Sequence, residues 1–154
     1  YPLFLLALTT GMRKSEILPL TWADLDFTEN VIHIRDSKTT AGVRTIDVSP
    51  RVMKVLSALE RRNDLVFPSR YGNIINTNSA SRILDRLIEK AGVKRITFHA
   101  LRHTHASIML ARGIELKEVA ERLGHTNIVM LQKTYAHVLP RKRKEAATKM
   151  DDLY

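Results

Sequence analysis

Thr97-Phe98-His99-Ala100-Leu101-Arg102-His103-Thr104-His105-Ala106-Ser107 is the stretch on which the reading of this chain turns. It falls in a segment with helical spacing, expected to run from His99 to Arg112, and places a histidine and an arginine within one turn of each other. Downstream, Leu123-Gly124-His125 and Thr134-Tyr135-Ala136-His137 add a further imidazole and a phenol. Far upstream, Thr10-Gly11-Met12-Arg13-Lys14-Ser15-Glu16 adds a second guanidinium, and Ser37-Lys38-Thr39 adds an ammonium.

The rest of the chain supplies the frame. Leu3, Leu5, Leu6 and Leu8 before Thr9-Thr10-Gly11 predict a buried helix stopped by glycine. A short helix follows through Ile17 and Leu18, on which Glu16 faces back toward Arg13. The period then changes to two, with Val31, His33 and Arg35 alternating with Ile32 and Ile34, and again over Val43 to Val48. These are two strands joined by a polar hairpin loop, so Lys38 is expected on or beside a turn. Ser49-Pro50 opens a helix with apolar face Val52, Val55, Leu56 and Leu59. Leu65 to Asn73 reads as a short extended stretch and a turn. Further helices are expected over Ser79–Ala91, Leu116–Leu123 and Ile128–His137, with Gly92, Gly113 and Gly124 closing helices. The fold class is therefore mixed α/β, mainly α-helical, with a small antiparallel β-sheet near Arg13.

Composition narrows the partner. Twenty-five basic against sixteen acidic side chains leave a formal net charge of +9, which favours a polyanion over an acidic substrate. A chain of 154 residues suits one domain, and a hydrophobic share of 44% argues against disorder. There are no cysteines, so disulfide scaffolds and thiolate metal sites are excluded, which is compatible with a reducing cytoplasm. The apolar start, Tyr1 to Leu8, is too short to span a bilayer and lacks the basic leader of a signal peptide. Without an initiator methionine, the chain reads as a fragment of a longer protein.

Breaking a phosphodiester without a metal needs four services, and the kit supplies each. Arginine forks hold the non-bridging oxygens, for which Arg13 and Arg102 are the candidates. A phenol, Tyr135, can attack and store the bond energy in a covalent ester. His99 is expected to help it lose its proton, and His125 to donate to a phosphate oxygen. Lys38 can protonate the departing sugar oxygen. No cofactor and no metal is expected.

Each of these residues has a plainer alternative. Arg13 and Glu16 could form only an i, i+3 ion pair, Lys38 could be an exposed turn lysine, and Tyr135 an amphipathic core tyrosine. His99 and His103 share a helix face at metal-binding spacing, but Ala100 stands where a zinc protease carries its glutamate, and no acidic ligand is close in sequence. His105 and His137 are expected to be surface or supporting residues. Arg141 to Lys144 is either a solvated run or a phosphate contact. The order of the boxes, rather than any one of them, decides the matter.

In that order the chain resembles, over essentially its whole length, the catalytic domain of tyrosine recombinases, the phage integrase family. It is most similar to integrases of Gram-positive phages and integrative conjugative elements. The motifs are Thr10 to Leu18 with Leu20-Thr21-Trp22-Ala23-Asp24-Leu25-Asp26, Ser37-Lys38-Thr39 before Arg44-Thr45-Ile46, His99-Ala100-Leu101-Arg102-His103-Thr104, Leu123 to Ile128, and Thr134-Tyr135-Ala136-His137-Val138. The pattern departs at Val129-Met130-Leu131-Gln132-Lys133, where small polar residues are usual.

The resemblance implies that residues 1–154 are one catalytic domain, with amino-terminal core-binding and arm-binding domains absent. Arg13 and Arg102 would clamp the scissile phosphate, with His99 and His125 completing the pocket. Lys38 would be the general acid, Tyr135 would form a 3′-phosphotyrosine bond, and Glu16 would buttress Arg13. The implied partner is double-stranded DNA, bound as a homotetramer at synapsis and with accessory excision or bending proteins, in the cytoplasm of a bacterial host at the nucleoid and not at a membrane. The isolated chain should bind DNA weakly, and the Pro140–Tyr154 tail is expected to dock on a neighbouring protomer. A type IB topoisomerase and a non-catalytic DNA-binding scaffold are the competing readings.

Overall fold

The computed structural model describes residues 1–35, 43–125 and 128–136, with the side chain of Met130 excepted. The expectations for Lys38, His137 and the Pro140–Tyr154 tail lie outside the described residues. Helix α1 (Pro2–Thr10) opens on proline and ends at Gly11, whose N–H donates to the Ala7 carbonyl at 3.1 Å. The short helix α2 (Lys14–Ile17) follows, and a 3₁₀ turn at Trp22–Asp24 leads into the sheet.

Three antiparallel strands form that sheet in the order β1 (Leu25–Asp26), β2 (Val31–Ile34), β3 (Arg44–Asp47). The alternation predicts the last two. β1, two residues long, is too short to show any period, and Leu25 earns its place by pairing with Ile32. Ile32 and Ile46 are paired across β2 and β3 and both point into the core, whereas His33 and Thr45 meet on the other face through a 3.1 Å hydrogen bond.

Helix α3 (Pro50–Ser57) buries Val52, Met53 and Leu56. Ser49 occupies its cap position, but the Ser49 backbone carbonyl, not its hydroxyl, takes the N–H groups of Val52 and Met53. Helix α4 (Thr77–Ala91) starts two residues before Ser79 because Asn76 caps it, its side chain accepting from the Asn78 N–H at 2.8 Å. Helices α5 (Phe98–Ala111), α6 (Leu116–Leu123) and α7 (Ile128–Tyr135) complete the described chain. Thr97 caps α5 by accepting from Ala100 N–H, and Gly113 lies one residue past the α5 cap at Arg112.

Two apolar clusters fill the interior, and α5 contributes to both. Phe98 and Leu101 join α1, α3, α4 and the sheet, while Ala106 and Leu110 join Val119, Ala120 and Leu123 of α6 and Leu131 and Tyr135 of α7. Among the described side chains of the segment that departs from the family pattern, Leu131 points inward, and Ile128 and Val129 remain exposed.

Of the surface and supporting roles expected for His105, the structure gives the supporting one, since the side chain is buried. Its Nδ1 lies 3.0 Å from the Leu8 carbonyl and its Nε2 lies 3.2 Å from the Arg122 Nε donor. The ring must therefore be neutral, donating from Nδ1 and accepting at Nε2. Arg122 continues the strut to the Asp47 carbonyl at 2.8 Å, so α1, α5, α6 and β3 are tied through one imidazole. The sequence gives no warning of this, because a histidine on a helix is more often exposed.

Two predictions follow from this packing. Gly11 (φ 68°) and Gly92 (φ 63°) both adopt the left-handed conformation, but an alanine methyl at Gly11 would stand 2.6 Å from carbons of His105 and Leu123, and at Gly92 it would meet nothing. Gly92→Ala should cost about 1 kcal/mol of backbone strain, and Gly11→Ala about 1–3 kcal/mol more through overpacking. Denaturant midpoints measure both, and equal losses would contradict the close approach. Burial, followed by the Arg122 charge, pushes the His105 imidazole down to about 4 from 6.5. The unfolded chain then binds the proton first, so stability should be greatest above pH ~6.5 and fall as pH drops toward ~4. Unfolding free energies across that window should show a shallower fall in His105→Gln; an unchanged slope would contradict the assignment.

Candidate active site

Arg13 caps α2, and the carboxylate of Glu16, one turn later, folds back on it. Glu16 Oε2 accepts the Arg13 backbone N–H at 2.7 Å, and Oε1 accepts Arg13 Nη1 at 2.8 Å. The ion pair expected from the spacing is present, but it has a third member. Arg44, at the start of β3, donates Nη1 to Oε1 at 3.0 Å and Nη2 to Oε2 at 3.1 Å. Its Nε reaches the Arg122 carbonyl at 2.7 Å. Burial alone would raise the Glu16 pKa, but the hydrogen bonds from Arg44 and Arg13 outweigh it and hold the carboxyl below the usual carboxylate range. One buried carboxylate thus sits between two guanidiniums, and the local charge remains positive. Arg13 is free to turn its Nη2 to the Gly124 carbonyl, at 3.0 Å.

Arg102 is the more deeply set guanidinium, with 4% of its surface exposed. Nη1 donates to the Gly11 carbonyl at 2.8 Å and Nη2 to the Leu123 carbonyl at 2.7 Å. Those acceptors stand at the carboxyl ends of α1 and α6, where carbonyls lack partners within the helix and the helix dipole is negative. The arginine is held by backbone and not by a carboxylate. Burial, then the Arg13 charge, pushes its pKa down to about 10, which still leaves it cationic near neutrality.

Arg13, His99 and Arg102 share the wall of one cleft of about 390 Å³. Burial lowers the His99 pKa, and the charges of His103, Arg102 and Arg13 lower it further. His125, just past α6, is pushed down to about 4 by burial and by Arg102, Arg13, His99 and Arg44. Five of the six residues expected at the site therefore gather in one electrostatic neighbourhood: Arg13, His99, Arg102, His125 and Tyr135, the last within the field of Arg102. The sixth, Lys38, lies outside the described residues.

Tyr135 reconciles two readings of its side chain. Its ring belongs to the second apolar cluster, with 3% exposure, as a core tyrosine's would. Burial raises its pKa, against the pull of Arg102. Its hydroxyl nevertheless has a specific partner, because His103 Nδ1 lies 2.7 Å from the phenol oxygen. The histidine in contact with the phenol is therefore His103, one helical turn beyond His99. The His103 ring stands between the two, meeting His99 edge to face at a centroid distance of 4.5 Å.

Sequence reasoning passed over His103, Arg44 and Arg122. The i, i+4 spacing of His99 and His103 put both rings on one face, but their partner is thirty-two residues downstream of His103 and spacing cannot reveal it. Arg44 opens the alternating strand β3, where nothing in the alternation marks it as the partner of Glu16. Among the described residues, no three His, Asp or Glu side chains are grouped so as to hold a metal ion, and no helix is long and apolar enough to cross a membrane. The cleft combines two guanidiniums, Arg13 and Arg102, with the His99 imidazole, which can donate a hydrogen bond, an arrangement suited to a tetrahedral oxyanion.

Known proteins share this architecture. The chain is 35% identical over 149 residues to tyrosine recombinase XerA of Pyrococcus furiosus, covering 92% of this chain and 51% of that protein. It is 27% identical over 176 residues to the ICEBs1 integrase of Bacillus subtilis, covering 97% and 48%. The Tn1549 transposon integrase, solved in complex with circular intermediate DNA, superposes with a TM-score of 0.82 at 25% identity, covering all of this chain and 59% of that one. The XerA recombinase crystal structure gives 0.77 at 27% identity, covering 96% and 57%. The chain spans about half the length of the curated relatives it matches. The phage integrase family model matches residues 1–142, and the chain belongs to that family.

Proposed function

We propose that the chain is the catalytic domain of a tyrosine-type site-specific recombinase that integrates and excises a mobile element in double-stranded DNA. The observation that carries this reading is the gathering of Arg13, His99 and Arg102 on one cleft, with His125 and Tyr135 inside the same field. Arg13 and Arg102 clamp the non-bridging oxygens of the scissile phosphate, and Glu16 buttresses Arg13. His99 and His125 complete the pocket by hydrogen bonding to the same oxygens. The Tyr135 oxygen attacks phosphorus, forming a phosphotyrosine bond to the 3′ side as the bond to the 5′ oxygen breaks. Lys38 gives that departing oxygen its proton. The ester retains the energy of the broken bond, so a 5′-hydroxyl from a partner strand can reverse the step and complete strand exchange without ATP.

The net charge of +9 fits a polyanionic partner. A homotetramer on synapsed DNA, with the Pro140–Tyr154 tail docked on a neighbour, accessory excision or bending proteins, and work at the nucleoid in a bacterial cytoplasm all belong to the same reading.

The decisive test is covalent capture. The intact protein, incubated with a nicked suicide duplex of its own site in EDTA, should form an adduct that survives a denaturing gel, and Tyr135→Phe should form none. Absence of an adduct with the unaltered protein, while it still binds the duplex, would favour a DNA-binding scaffold over an enzyme.

A further inference from the structure

The recombination reading leaves the proton of the nucleophile unassigned to any group in contact with it. A phenol ordinarily titrates near ~10. In this chain burial moves Tyr135 further upward, so attack at neutral pH requires a base within hydrogen-bond reach of the hydroxyl. The described residues offer one such contact to the phenol oxygen, the Nδ1 of His103 at 2.7 Å. The ring planes are tilted by 49° with centroids 5.8 Å apart, so the contact is a directed hydrogen bond and not a stacked pair.

Resting on the recombination reading, we propose that His103 is a catalytic residue, the general base that takes the proton of Tyr135. In the competent tautomer Nε2 carries the hydrogen and Nδ1 accepts from the phenol. As the Tyr135 oxygen bonds to phosphorus, its proton passes to Nδ1 and the electron pair of the O–H bond remains on oxygen for the new bond. The bond from phosphorus to the 5′ oxygen breaks, and that oxygen takes its proton from Lys38. In rejoining, the imidazolium of His103 returns the proton to the departing phenolate. No oxidant, reductant or further reactant is needed.

The helix explains why this position suits the task. His99, Arg102 and His103 all project from α5, which is anchored in both apolar clusters. Arg102 and His103 are adjacent in sequence but diverge, the guanidinium toward the ends of α1 and α6 and the imidazole toward α7. One rigid element therefore fixes a phosphate clamp and a base relative to each other. His99 lines the cleft and packs edge to face against His103, which contacts the phenol, so the two imidazoles divide the work.

The test uses the intact protein in single turnover on nicked suicide duplexes with either an oxygen or a sulfur leaving atom at the 5′ position. His103→Ala and His103→Gln should each slow adduct formation by about 100-fold or more, in the range usual for loss of a general base. DNA retention on gels and the thermal midpoint of His103→Gln should stay near those of the unaltered protein. The deficit should be the same on both substrates, since the base acts at the nucleophile, whereas a Lys38→Ala deficit should shrink with sulfur. The assignment is overturned by an unaltered rate in either variant, by a loss in alanine that glutamine restores, or by a deficit that sulfur removes. If the unaltered protein forms an adduct that Tyr135→Phe lacks, such a result rejects His103 alone; if it forms none, the recombination reading and this assignment fail together.

Discussion

A guanidinium buried between two helix ends is the constraint on which the rest of the structure depends. Burying a cation without a carboxylate beside it is costly unless its donors are matched. Arg102 meets that demand with the Gly11 and Leu123 carbonyls, at 2.8 and 2.7 Å. Both acceptors belong to positions that helix geometry leaves without internal partners. The arginine thus satisfies two helix termini while they orient it, and α1, α5 and α6 cannot shift relative to one another without breaking the arrangement. The tight packing of Gly11 against His105 and Leu123 is the steric side of the same junction.

The electrostatic consequence is a standing excess of positive charge. Glu16 is shared between Arg13 and Arg44, and Arg102 is held by neutral carbonyls, so three guanidiniums face one carboxylate. That field, with burial, keeps His99 and His125 neutral, and an arriving phosphate would relieve it. On the proposed reading, affinity for the anion is built into the protein scaffold before any substrate contact. The same burial raises the Tyr135 pKa above its ordinary value, against the opposing pull of Arg102.

Much of this was legible in the sequence, and for definite reasons. Period-two alternation revealed β2 and β3, since Ile32, Ile34 and Ile46 had to face one way. Gly11, Gly92 and Gly124 marked helix ends because they supply a left-handed residue cheaply. The i, i+3 spacing of Arg13 and Glu16 forced their contact. What stayed hidden was long-range. Arg44 reaches Glu16 across twenty-eight residues, and His103 reaches Tyr135 across thirty-two. No local pattern encodes such distances, and the family resemblance carried Arg102 and Tyr135 into one site without saying which neighbour each would touch. His105 stays open between a surface and a supporting role for the same reason, because its burial is created by Leu8 and Arg122 from other parts of the chain.

The central proposal is that Arg13, seated by Glu16 and the Gly124 carbonyl, and Arg102, seated by the Gly11 and Leu123 carbonyls, present their remaining donors to one phosphate. A structure of the intact protein carrying Tyr135→Phe on its nicked DNA site would test it most directly. Oxygens of a single backbone phosphate should lie within about 3 Å of N–H groups of both arginines, with the Arg102 bonds to Gly11 and Leu123 retained. A scissile phosphate contacted by neither guanidinium, or an Arg102 that abandons both carbonyls to reach it, would contradict the account.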